Sequence, residues 1–253
     1  MADQKEIASE LWAMANKLRG SMDASEYKNY ILAFMFYRYL SEHQEEYLKN
    51  DNVIDIVEGQ TVNEAYLEQA NNDDLEDYLE DISSSLGYAI APLDTWASLI
   101  HKIDNSMVIP SDYQAIFDNF NKNAERNKEA VQDFRGVFDD VNLGDSRLGS
   151  STNERAKALN GIVKLVDKFD YKSDDGTDIL GAVYEYLIGQ FAASAGKKGS
   201  FQNRYARQRA FEHVLQCIRP NNGIWFASSY RWKRITRRST NQILRTRTQY
   251  YNV

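Results

Sequence analysis

Few of the side chains that carry enzyme chemistry occur in this chain, and their spacing does not suit it. The histidines are His43, His101 and His213, and Cys217 is the only cysteine. No internal disulfide can form, and no Cys-x-x-Cys or Cys/His cluster exists to hold zinc. Carboxylates are plentiful and adjacent, as in Asn72-Asp73-Asp74 and Glu76-Asp77. Paired acids could do general acid–base work, but on an acidic surface such runs read as solvated faces. His43 lies on a polar helix end and reads as an exposed surface histidine. No phosphate-cradling glycine loop, no G-x-S-x-G and no H-E-x-x-H occurs, so no catalytic, cofactor or metal residue is assigned.

Two other groups could meet nucleic acid. The aromatic run at 30–39 could stack on bases, but it also holds Ile31, Leu32 and Met35, and packing in a core is the simpler reading. Lys17, Arg19, Lys197 and Lys198 are the candidate DNA-contacting cations. Each also falls near the C-terminal end of an expected helix, where the helix dipole favours positive charge.

These residues are carried on a pattern that is helical nearly throughout. The chain has only three prolines, Pro92, Pro110 and Pro220, which favours long helices. Residues 4–19 present Ile7, Leu11, Met14 and Leu18 on one face, with Gly20 as the stop. Asp23 to Glu26 reads as a helix start, and the helix over 24–49 is apolar on almost every side from Tyr30 to Leu40. Such a helix belongs in the middle of a bundle; its polar end from Ser41 must emerge to solvent.

A short strand or a loop is expected over 51–62. Helices follow over 62–70, 74–83, 94–103 and 111–134, then a loop rich in Gly, Ser, Asp and Asn over 136–153. A helix over 153–168 and another over 178–195, with Ile179, Leu180, Val183, Tyr184, Leu187, Ile188 and Phe191 in a 3.6-residue period, complete the body. The fold class expected is mainly α, a helical bundle.

Charge divides the chain. Of its 253 residues, 1–198 hold 19 Lys+Arg against 36 Asp+Glu, a net −17. Residues 199–253 hold 11 Lys+Arg against one acid, Glu212, a net +10, and ten of those cations are arginine. A break of this kind marks a domain boundary or an interaction tail. No run of 18 apolar residues occurs and the N-terminus lacks a signal-peptide pattern, so no membrane association and a cytoplasmic location are expected.

Two stretches are specific enough to name a family. One is LWAMANKLRGSMDASEYKNYILAFMFYRYL, from Leu11 to Leu40; the other lies within 145–199 and contains LGSSTNERAKALNGIVKLVDKF and DGTDILGAVYEYLIGQFAASAGKKG. Both resemble the N-terminal helical domain of the modification (HsdM) subunit of type I restriction–modification systems. The resemblance covers about residues 5–198 and less than half of a typical family member.

It implies an assembly of two modification subunits and one specificity subunit on double-stranded DNA, which a restriction subunit can join. It also implies methyl transfer from S-adenosylmethionine to adenine, which must be flipped out of the duplex. That chemistry would lie in a following α/β domain, in an acidic-Pro…Gly-x-Gly cofactor loop and an Asn-Pro-Pro-aromatic loop. The prolines here follow Ala91, Ile109 and Arg219, so neither loop occurs in these 253 residues. No S-adenosylmethionine site and no activity are expected of this chain alone.

The family pattern stops after Lys198. Read from the second base of each codon, residues 218–229 permit a run containing Asp-Pro-x-x-Gly-Ser-Gly. Trp225 is the hard constraint: its only codon is TGG and Phe226 begins with T, so the shifted codon is GGT, glycine. Residues from about 199 onward therefore read as a frameshifted remnant of the start of the catalytic domain. The competing reading is a stand-alone nucleic-acid-binding protein, with an acidic helical body and a basic arm.

Overall fold

The computed structural model describes residues 9–11, 13, 24–50, 53–71, 73–105, 108–169 and 183. Its helices are α1 (Ala24–Asn50), α2 (Val62–Glu68), α3 (Leu75–Leu86), α4 (Trp96–Asn105), α5 (Pro110–Ala124), α6 (Val131–Phe134) and α7 (Thr152–Asp167), with 3-10 turns at Gln69–Asn71 and Pro92–Asp94. The described residues contain no strand, in keeping with the mainly α class read from the pattern. Residues 53–60, where a strand was an option, form a loop closed by a turn in which Gln60 N–H donates to the Val57 carbonyl. Gly59 supplies the left-handed conformation this turn needs, at φ 85°.

α1 is the axis of the bundle. From Tyr30 to Leu40 every side chain but Arg38 is buried, because the run offers no polar face to solvent. The aromatic residues of this run are core: Phe34 meets Tyr113 at 5.3 Å, and Tyr37 meets Phe138 at 5.7 Å. Beyond Leu40 only part of the helix emerges, since Ser41, Gln44 and Leu48 are still buried.

α7 packs along α1. Phe34 reaches Tyr113, whose hydroxyl donates to Asn160 at 2.6 Å, and Arg38, one turn on, reaches the Val166 carbonyl. α7 starts on a capping box in which Ser151 Oγ accepts from the Glu154 N–H and Glu154 accepts from the Ser151 N–H. α2 starts on the same device, with Thr61 and Glu64.

Between α3 and α4 the chain crosses the core as an extended strap. Gly87, at φ 84°, ends α3, and Tyr88, Ala89, Ile90, Pro92, Asp94 and Thr95 are buried. No ladder satisfies this backbone, so side chains do. Gln44 pairs with Ile90 at both ends, donating from Nε2 to its carbonyl at 2.8 Å and accepting its N–H at 2.7 Å. Tyr37 donates to the Asp94 carbonyl at 2.6 Å, and Ser41 accepts the Trp96 N–H at 2.8 Å. Gln44→Leu strands the Ile90 N–H in the core, and an unfolding midpoint shift equivalent to about 1–3 kcal/mol is expected in urea titration.

The expected single helix over 111–134 is corrected to two. α5 ends at Ala124 and α6 begins at Val131. The side chain of Asn127 makes the break: its Oδ1 accepts the Glu129 and Ala130 N–H groups and its Nδ2 donates to the Ser83 carbonyl. A side chain that competes for backbone hydrogen bonds in this way ends a helix. Of the two outer helices read over 4–19 and 178–195, only residues 9–11, 13 and 183 are described. They are helical, and Leu11 and Val183 are fully buried, as stripe positions should be.

Candidate functional site

The four cations singled out for DNA contact, Lys17, Arg19, Lys197 and Lys198, lie outside the described residues, as does the basic segment 199–253. Many described cations are spent on the protein itself. Arg126 bridges Glu76 and Glu80, Arg135 pairs with Glu125, Arg147 with Asp145, and Lys164 with Asp104. Exposed pairs of this kind stabilise little, and each places a carboxylate beside the cation that would otherwise face a phosphate.

The most elaborate polar cluster lies where α1, α4 and α7 meet. Arg38 is 11% exposed and its Nε binds Glu42 at 2.6 Å. Its Nη1 donates to the carbonyls of Val166, Asp167 and Phe169 at 2.8, 3.4 and 3.1 Å. These groups end α7, so the guanidinium caps that helix from a neighbouring one, with the favourable sign for its dipole. Its carbon lies 5.9 Å from the Trp96 ring, and Trp96 Nε1 donates to Asp167 at 2.8 Å. The cluster ties the C-terminal end of α7 to α1 and α4. The lone charge inside YILAFMFYRYL was the sequence signal for it, since an isolated arginine on a buried helix needs partners.

His43 is half-buried, not an exposed surface histidine. Its polar neighbours in sequence suggested solvent, but Tyr39 stacks on it at 6.4 Å and Tyr88 covers it. Tyr88 donates to the Leu40 carbonyl, so at 3.0 Å its oxygen accepts from His43 Nδ1. Burial pushes the imidazole down to about 4. The folded state resists the proton that the unfolded chain takes near 6.5, so stability is full above that pH and falls as pH drops towards 4. The loss is on the order of 2–3 kcal/mol. His43→Phe should flatten that acid limb in unfolding midpoints measured between pH 7 and 4.

A second feature is a groove of about 170 Å³ between α5 and the segment after α6, lined by Gln114, Phe117, Asn121, Phe138, Asp139 and Val141. Phe117 and Phe138 stack at 4.5 Å beneath it. The described residues contain no group of three His, Cys, Asp or Glu side chains able to hold a metal, and no helix among them is long and apolar enough to cross a membrane.

Comparison with known proteins gives this architecture its relatives. The family model described as the HsdM N-terminal domain matches residues 7–169. The type I restriction enzyme MpnII methylase subunit of Mycoplasma pneumoniae is 30% identical over 205 residues, covering 76% of this chain and 36% of that protein. The crystal structure of the type I restriction-modification system methyltransferase subunit from Streptococcus thermophilus superposes with a TM-score of 0.63. It is 28% identical, over 78% of this chain and 40% of that one. The chain therefore spans two fifths or less of the length of these relatives.

Proposed function

Because this chain belongs to the HsdM N-terminal domain family, we propose that it serves as the helical assembly module of a type I restriction–modification methyltransferase. Its role is subunit association and, through the complex, contact with double-stranded DNA. Its partners are a specificity subunit and a second modification subunit, and a restriction subunit can join them. The reaction served is methyl transfer from S-adenosylmethionine to adenine, carried out by a domain that these residues do not contain.

The observation that carries this reading is the family match over residues 7–169, which takes in all of α1 to α7. The site geometry is consistent with it. Arg38, Trp96 and Asp167 hold the end of α7 against α1 and α4.

The basic segment 199–253 belongs to this proposal as the product of a shifted reading frame. Its arginine bias, its lack of aspartate and the glycine forced after Trp225 have one common cause on that reading. The test is the genomic sequence across codons 196 to 240. Codons that spell Asp-Pro-x-x-Gly-Ser-Gly in the second frame support it; codons that exclude that loop overturn it and leave a genuine basic arm. For the activity itself, calorimetric titration of the purified chain with S-adenosylmethionine should show no saturable heat. Saturable binding would contradict the assignment of the cofactor site to another domain.

A further inference from the structure

The family pattern stops just after Lys198, at a place that the genetic code sets apart. Lysine is encoded only by AAA and AAG, and glycine by GGN. Gly196-Lys197-Lys198 is the only place in the 253 residues where codons permit seven identical bases in succession, as GGA-AAA-AAA. No Phe-Phe, Gly-Gly or Pro-Pro pair and no other Lys-Lys pair occurs. Loss of one adenine from that run leaves Gly196, Lys197 and Lys198 encoded, as GGA-AAA-AAG, and moves every later codon to the second base. That is the frame in which residues 218–229 permit Asp-Pro-x-x-Gly-Ser-Gly. The same frame is open: between Gly199 and Arg234, Ile218 before Arg219 is the only point at which it admits a stop codon.

We infer that codons 196–198 are a slippage site, which switches the gene between this chain and one that continues into the catalytic frame. In a run of one base a strand can re-pair one step out of register and lose no other pair, so single-base gain and loss come more easily there than in mixed sequence. The fold gives the switch its effect. All of α1 to α7 is encoded before the run, and Arg38 closes the end of α7, so both products carry the same bundle. The product in the present frame therefore offers a partner subunit the same packing faces without the catalytic domain, and competes with the longer product. The inference deepens the assembly reading and rests on the shifted-frame reading of residues 199–253.

The test counts bases. Codons 190 to 205 are read at depth in genomic DNA and in messenger RNA from single colonies, beside a copy of the gene recoded as GGC-AAG-AAG, which encodes the same protein. The source gene should hold an unbroken run of seven adenines, and reads one base shorter should be severalfold more frequent there than in the recoded copy. Such reads in DNA assign the slip to replication; in RNA alone, to transcription. An epitope tag placed in the second frame after codon 234 should appear on protein from the source gene and vanish on recoding. A guanine inside the run, or equal read lengths and equal tag from both copies, overturns the switch and leaves the shifted frame standing as a fixed change. Codons 218 to 229 that exclude the Asp-Pro-x-x-Gly-Ser-Gly loop overturn the frame reading, and the switch with it. Added to an intact modification subunit and its specificity subunit, this chain should lower methylation of duplex DNA severalfold when in excess; unchanged methylation overturns its role as a competitor.

Discussion

Arg38→Met is expected to lower the stability of the folded chain by about 3–5 kcal/mol, the range for breaking a buried charged contact by removing one partner. Methionine keeps an apolar stem but is shorter, so the guanidinium over the Trp96 ring is lost along with the charge. What is lost is the donor to three carbonyls at the end of α7 and to Glu42. Those groups are then held away from water without a partner. Urea unfolding followed by circular dichroism reads the loss directly. The double variant Arg38→Met/Glu42→Gln should recover part of it, since it also removes the orphaned carboxylate. Equal midpoints for Arg38→Met and the native chain would show that the guanidinium does not tie α1 to α7.

Phe138→Ala comes next, with an expected loss of about 3–5 kcal/mol for a buried phenylalanine cut to alanine. Phe138 lies in a segment without regular structure, yet it is 2% exposed and meets Phe36, Tyr37, Phe117 and Phe120. Four ring partners leave a cavity that their neighbours cannot easily close. Phe138→Leu, which keeps most of the volume, should lose less than half as much. A loss under 1 kcal/mol for the alanine variant would mean that residues 136–153 are an accessory loop and not part of the core.

The same segment shows where sequence reading stops. The helices were legible because apolar residues repeat every 3.6 positions, and six of the expected helices outside the termini begin within two residues or so of where they form. The break between α5 and α6 was not legible. Ala124 to Ala130 has helix-forming composition, and only the packing of Asn127 against Ser83 on α3 decides for a turn. Likewise 136–153 reads as loop by its Gly, Ser and Asp, yet Val137, Phe138, Val141 and Leu143 are core. Nor does a local pattern reveal a strap whose backbone is satisfied by Gln44, Tyr37 and Ser41, residues some fifty positions earlier.

Functional residues were less legible than the fold, for a related reason. The family was readable because long ungapped runs such as LRGSMDASEYK survive as text. The groove was not, because Gln114 and Asn121 come from α5 while Asp139 and Val141 come from a separate turn. Arg38 was not singled out, because its charge has meaning only with partners 128 to 131 residues further along.

The central claim is that this chain contributes assembly and not methyl transfer. Its most direct test is co-expression of the whole chain with a type I specificity subunit from the same source, followed by light scattering on the eluted complex and a methyl-transfer assay with labelled S-adenosylmethionine on unmethylated duplex DNA. A stable complex of the two, with no label in the DNA until an intact modification subunit is added, is the predicted result. Label transferred by the chain alone, or no complex at micromolar concentration, would contradict it.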